Sequence, residues 1–284
     1  GALSNIGVMT IQNNSHVGSV ENKSGTATFS DSTITGAAVN DSGGTLTLNA
    51  GTVDSVVNAG TLLLAKNNTV LHNTTNTSGT LTLDGNTING QLLANGGTFD
   101  VTANGASIGS LSGSANGTLD GLLTLATADN TYSGTLSGTG GVSVSASGTQ
   151  VFSGNNAYTG TTQITSGILA INGDQSTATG DTLVNATATL SGTGTLGGNT
   201  VIQSGGTLTP GDVTSHVGIL SMAQNLTLAS GSSQNFYLGQ TNVAGGAYNS
   251  LVAVQGDLTL GGTLSITPNT AGPNVNNNSL GPGL

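Results

Sequence analysis

A short string returns along the first half of this chain at intervals too even for an ordinary globular core. Gly-Thr followed by alternating apolar residues begins at Gly25, Gly44, Gly60, Gly79, Gly97 and Gly117, at spacings of 19, 16, 19, 18 and 20 residues. An Asn stands a few residues ahead of each Gly: Asn22, Asn40, Asn58, Asn76, Asn95 and Asn116. Self-similarity at a fixed period of this length marks a repeat architecture. Period-two alternation sends Leu46 and Leu48 to one face and Thr45 and Thr47 to the other, and Leu81 and Leu83 oppose Thr80 and Thr82 in the same way. Between these strands lie shorter apolar stretches, Ala38-Val39, Val56-Val57, Val70-Leu71 and Leu92-Leu93.

A unit of about 19 residues turns too few aliphatic side chains inward to offset the conformational entropy of ordering its own backbone. Neighbouring units must cover its edges and supply its hydrogen bonds. Propeller blades need roughly twice this length, and leucine-rich repeats follow another consensus. The expectation is an all-β chain, a right-handed parallel β-helix whose coils turn at Gly and Asn, with Asn side chains laddering from coil to coil. At this period the chain accommodates about 14 coils, each adding roughly 4.8 Å.

Composition supports that reading. There are 47 Gly in 284 residues, charged residues are only 5 %, and a single Glu, Glu21, leaves the chain short of helix-surface residues. Two basic residues, Lys23 and Lys66, cannot neutralise a nucleic-acid backbone or hold an anionic membrane, so neither is an expected partner. Zero Cys rules out a disulfide framework and thiolate metal sites. No run of 18 apolar residues occurs.

From about Asp129 the rhythm changes. Asn130-Thr-Tyr132-Ser-Gly134 is echoed by Asn156-Ala-Tyr158-Thr-Gly160, which runs on through TTQITSGILAI to Ile171. This resembles the passenger-associated transport repeat of autotransporters. Residues 186–267 then carry GGTLTPGD, NLTLASGS and GDLTLGGTL in that order, which resembles the C-terminal pertactin-like, or autochaperone, region of self-associating autotransporter adhesins. The resemblance covers the last 140 residues closely and the first 128 only as a repeat type. It implies four segments: β-helix repeats over 1–128, transport-repeat coils over 129–185, an autochaperone cap over 186–267, and a linker over 268–284 leading to the chain's own C-terminal membrane barrel, which the sequence does not include. It also implies display from the outer membrane of a Gram-negative cell. Tyr158, Gly160, Pro210, Phe236, Tyr237 and Asp257 are the expected folding and capping residues, with Phe236-Tyr237-Leu238 and strands within 256–266 closing the open end of the stack.

Catalytic chemistry finds no constellation. Asp41-Ser42-Gly43-Gly44 matches a string of chymotrypsin-like proteases, yet it occupies a repeat corner, and His16 and His72 fall on separate coils. The three His residues are too scattered for a metal site, and no Asp series follows a calcium-loop spacing. No catalytic residue, metal or cofactor is expected. The remaining candidates are contact residues: Asp31, Asp41, Asp54, Asn58, Asp84, Asp100 and Asp120, read as outward polar groups. The expected function is self-association of copies on neighbouring cells, leading to aggregation and biofilm. A host matrix protein or glycan is the alternative partner, and an enzymatic passenger a distant third.

Overall fold

A computed structural model describes residues 1–270; most of the expected linker, 271–284, lies outside the described residues. Strands account for the regular structure throughout, with no helix among the described residues, and the chain winds as a parallel β-solenoid of about 11 turns. Two compact units emerge, Gly1–Ser143 and one from Val144 onward.

In the first unit each coil contributes three short strands, which stack into three faces. On the first face, residues 26–29 lie opposite 45–48, then Thr61–Leu64, Thr80–Leu83, Thr98–Val101 and Asn116–Leu119, all parallel. The second face stacks His16–Val17 on 33–34, 52–53, Thr69–Val70 and 87–88. The third runs from 19–22 through 37–40, 55–58, Thr74–Asn76 and 91–94 to 110–113. Alternation places Ala27 and Phe29, Leu46 and Leu48, Leu62 and Leu64, and Leu81 and Leu83 inside, each at most 2 % exposed. Like side chains lie over like, so every methyl buried in one coil is covered by the next.

The repeating Gly has a steric cause. A Cβ on Gly79 would lie 2.0 Å from the Gly60 carbonyl oxygen, and one on Gly97 the same distance from that of Gly79; both residues also adopt positive φ, 69° and 66°. A second corner, between the first and second faces, carries a column of left-handed residues, Asn14, Asp31, Ala50, Asn67, Gly85 and Gly105. Asn and Asp tolerate that conformation, which gives Asp31, at φ 48°, a backbone role.

The Asn ladder forms, with different membership from that expected. Asn5 Nδ2 donates to Asn22 Oδ1 at 2.7 Å, Asn22 to Asn40 at 2.9 Å, Asn40 to Asn58 at 2.8 Å and Asn58 to Asn76 at 2.8 Å. It ends there: Asn76 donates to the carbonyls of Gly96 and Thr98. The column continues as Ala94, Gly113 and Tyr132, while Asn95 and Asn116 sit on the exposed surface. The last Gly-Thr is likewise displaced by two residues. Gly117 lies opposite Phe99, where a Cβ would fall 2.3–2.7 Å from the ring, and that ring in turn meets Tyr132 edge-on at 6.2 Å. Glycine at 117 makes room for an aromatic in a column that holds Leu46, Leu62 and Leu81 in the preceding coils.

In the second unit three strand columns again stack in parallel. One comprises residues 162–164, Thr182–Val184, Thr200–Ile202, Leu226–Leu228 and Leu258–Thr259. Another holds Asp174–Gln175, Thr195–Leu196, 221–222 and 253–254. Coils lengthen toward the C-terminal side: Thr207 lies opposite Ser233 and Ser233 opposite Thr263, 26 and 30 residues apart. The loops that carry the excess, within 211–217 and 239–249, help explain why the expected 14 coils reduce to about 11.

Candidate contact faces

The seven expected contact residues do not share a face. Asp31, Asp84 and Asp120 lie at the corner between the first and second faces. Asp84 is held there by Asn104 Nδ2, which donates to its Oδ1 at 2.6 Å, and by the Thr102 hydroxyl. These donors stabilise the charged form and lower the Asp84 pKa, the Asn104 amide most strongly. Asp100 occupies an outward position of the first face, in register with Thr82 and Thr118. Asp120 follows the strand Asn116–Leu119 and so lies at a corner rather than on the face. Asn58 requires a larger correction. It is fully buried as a rung of the ladder and also donates to the carbonyls of Gly60 and Thr80, so it offers nothing to a partner. An Asn that follows two apolar residues lies two positions from an inward Val56, and parity puts it inside.

Asp41 and Asp54 remain, and they border the third face from its two sides. Asp54 precedes that strand and accepts from two neighbours: His72 Nδ1 lies 2.8 Å from its Oδ1, and the Ser55 hydroxyl donates to its Oδ2 at 3.2 Å. Ser55 and His72 thus both face the carboxylate rather than each other, and no histidine activates the hydroxyl. Between these borders the outward residues of successive coils are Glu21, Val39, Val57, Thr75 and Leu93 in one column, with Ser19, Ala37 and Ser55 beside them. Val57 is 38 % exposed. Sequence reading passed over this apolar stripe, although the signal was present. Adjacent strand residues point to opposite faces, so each apolar pair such as Ala38-Val39, Val56-Val57 and Leu92-Leu93 must leave one member outside.

The expected capping residues fall into different roles. Tyr158 is buried, and its hydroxyl lies 2.7 Å from Thr162 Oγ1; burial pushes its pKa up to about 12. The Gly160 carbonyl oxygen lies against the next coil, where a Cβ on Gly180 would fall 2.0 Å from it, so the close approach requires glycine at 180. Pro210 is buried beside the antiparallel bridge of Gly192 and Gly211. Tyr237 points outward and stacks on His216 at 4.7 Å, next to an Asp212 whose pKa is lowered by the backbone N–H groups of Ser215 and Thr214. The Asp257 backbone N–H donates to Asn225 Oδ1, and the Asp257 side chain is exposed.

Closure of the end by this segment is not what the structure shows. Thr263–Pro268 pairs in parallel with Ser233–Leu238, adding one more coil that presents the same kind of edge as the coil beneath it. Leu258, Leu260, Leu264 and Ile266 stay 49–76 % exposed. With Phe236 and Leu238 they line an open apolar cavity of about 480 Å³. No helix of the described residues is long and apolar enough to cross a membrane.

Comparison with known proteins adds two findings. Residues 147–171 match the passenger-associated-transport-repeat family. Over 168 residues, 55 % of this chain, the sequence is 42 % identical to the adhesin BmaC autotransporter of Brucella suis biovar 1 (strain 1330), and the match spans 5 % of that relative's length.

Proposed function

We propose that the chain is a segment of an autotransporter adhesin passenger, as its transport repeat and its likeness to an autotransporter adhesin support, and that it acts at the cell surface as a contact module through which copies on neighbouring cells associate. The observation that carries this reading is the third face of the first unit. Outward Val39 and Val57 lie in consecutive register and Leu93 follows one coil beyond Thr75, an apolar stripe flanked by Ser and Ala and rimmed by Asp41 and Asp54. An apolar centre inside a polar rim is the general anatomy of a protein interface. With a net charge of −10, two copies repel over most of their surface, and a nearly uncharged strip is where they approach most easily. A few coils bury too little area for a tight dimer. Many displayed copies engaging together compensate through effective concentration. Aggregation and biofilm growth follow from such contacts, and the residues involved serve adhesion rather than catalysis.

Replacing Val39 and Val57 with Lys tests this directly. Displayed on a non-aggregating host, the parent passenger should drive sedimentation of the culture and the double variant should not. Equal sedimentation by both would refute the reading. The relative's name, adhesin, supports a second reading in which a host matrix protein or glycan is the ligand. Direct binding of the purified chain to immobilised matrix proteins and glycans, unaffected by the same substitutions, would favour it.

A further inference from the structure

The first face differs from the third in carrying two columns of threonine. One runs Thr26, Thr45, Thr61, Thr80, Thr98; the other Thr28, Thr47, Leu63, Thr82, Asp100. Over these five strands the pairing is continuous, without a bulge. None of the eight threonine hydroxyls bonds to another described residue, and all eight residues are at least partly exposed. Neighbouring strands lie about 4.8 Å apart and alternate residues along a strand about 6.7 Å apart, so hydroxyl and methyl groups repeat on a nearly rectangular grid. Threonine is stiff at χ1 and its backbone is hydrogen-bonded on both sides, so the grid is held with little thermal spread. The first four strands of the grid carry no charge that would reorient nearby water.

We infer that this face binds a lattice of ordered water, and hence the surface of an ice crystal. Oxygen atoms on the prism plane of ice repeat in two directions at spacings close to those of the grid. Hydroxyls supply anchoring hydrogen bonds at lattice positions, and the intervening methyl groups hold water in cages without competing for its protons. The surface is distinct from the third face, so it operates independently of any contact between copies.

Ice recrystallisation in the presence of the purified chain, followed by microscopy, tests the assignment. The parent chain should keep ice grains small, and so should Thr69→Lys on the second face. Thr47→Lys and Thr82→Lys should each lose the effect while retaining the parent's circular dichroism and melting temperature. Grain growth equal to that in an albumin control, or activity undiminished in both first-face variants, would overturn the inference.

Discussion

Asn58 shows what a single side chain contributes here. Its amide joins Asn40 to Asn76 and meets two backbone carbonyls, that of Gly60 buried and that of Thr80 part-buried. Asn58→Ala leaves buried acceptors without a donor, and a destabilisation of about 1–3 kcal/mol is expected from a shift in urea midpoint. A midpoint unchanged from the parent would mean that the ladder adds nothing. The recurrence of Asn was legible in the sequence because the spacing is regular. The sequence did not reveal where the ladder stops, since the distance from Asn to the following Gly varies and only coil register separates Asn76, inside, from Asn95, outside. Tyr158 sets a pH limit by the same logic of burial. Its folded pKa of about 12 exceeds the ordinary value of 10.0, so the fold holds the phenol proton more tightly than the unfolded chain does. That share of stability is complete below pH 10 and disappears as pH rises through about 12. Alkaline titration followed by circular dichroism should show a weaker pH dependence for Tyr158→Phe than for the parent across that interval.

At the scale of the element, one coil fits another through volume as well as hydrogen bonds. Gly117 lies under the Phe99 ring with no room for a methyl group. Gly117→Ala should destabilise the chain by about 1–3 kcal/mol through overpacking. Combined with Phe99→Leu it should cost less than the two single changes added, because the smaller side chain vacates the space. Additive losses in denaturant unfolding would place the two residues out of contact. The three-strand coil was readable from alternation and Gly corners, whereas this Gly at an inward apolar rung was hidden by an identical Gly-Thr string two residues out of step.

At the scale of the molecule, the stack could be anticipated but not its length or its ending. Long loops between Gly211 and Gly218 and between Leu238 and Asn249 add residues without adding coils. The last strands looked like a lid because they are apolar and follow the aromatic segment. Parallel pairing instead makes them another layer, with Leu260 and Leu264 at 76 % and 61 % exposure. Leu260→Ser with Leu264→Ser should therefore reduce the fluorescence of a bound apolar dye while changing stability by less than about 1 kcal/mol, as expected for surface positions. A large loss of stability would show these leucines to be core.

The account depends on parallel coils stacked in a defined register, and a chain without native cysteine allows that to be read chemically. Thr28 and Thr47 are register partners. Cysteines introduced at these two positions fall within the Cα separation a disulfide accepts, about 4.4–6.8 Å. A pair at Thr28 and Thr45 is offset by two residues and about 8 Å apart. Mild oxidation followed by mass spectrometry of non-reduced peptides should find the first cross-link and not the second. Equal yields from both pairs, or cross-linking only of the offset pair, would contradict the stack.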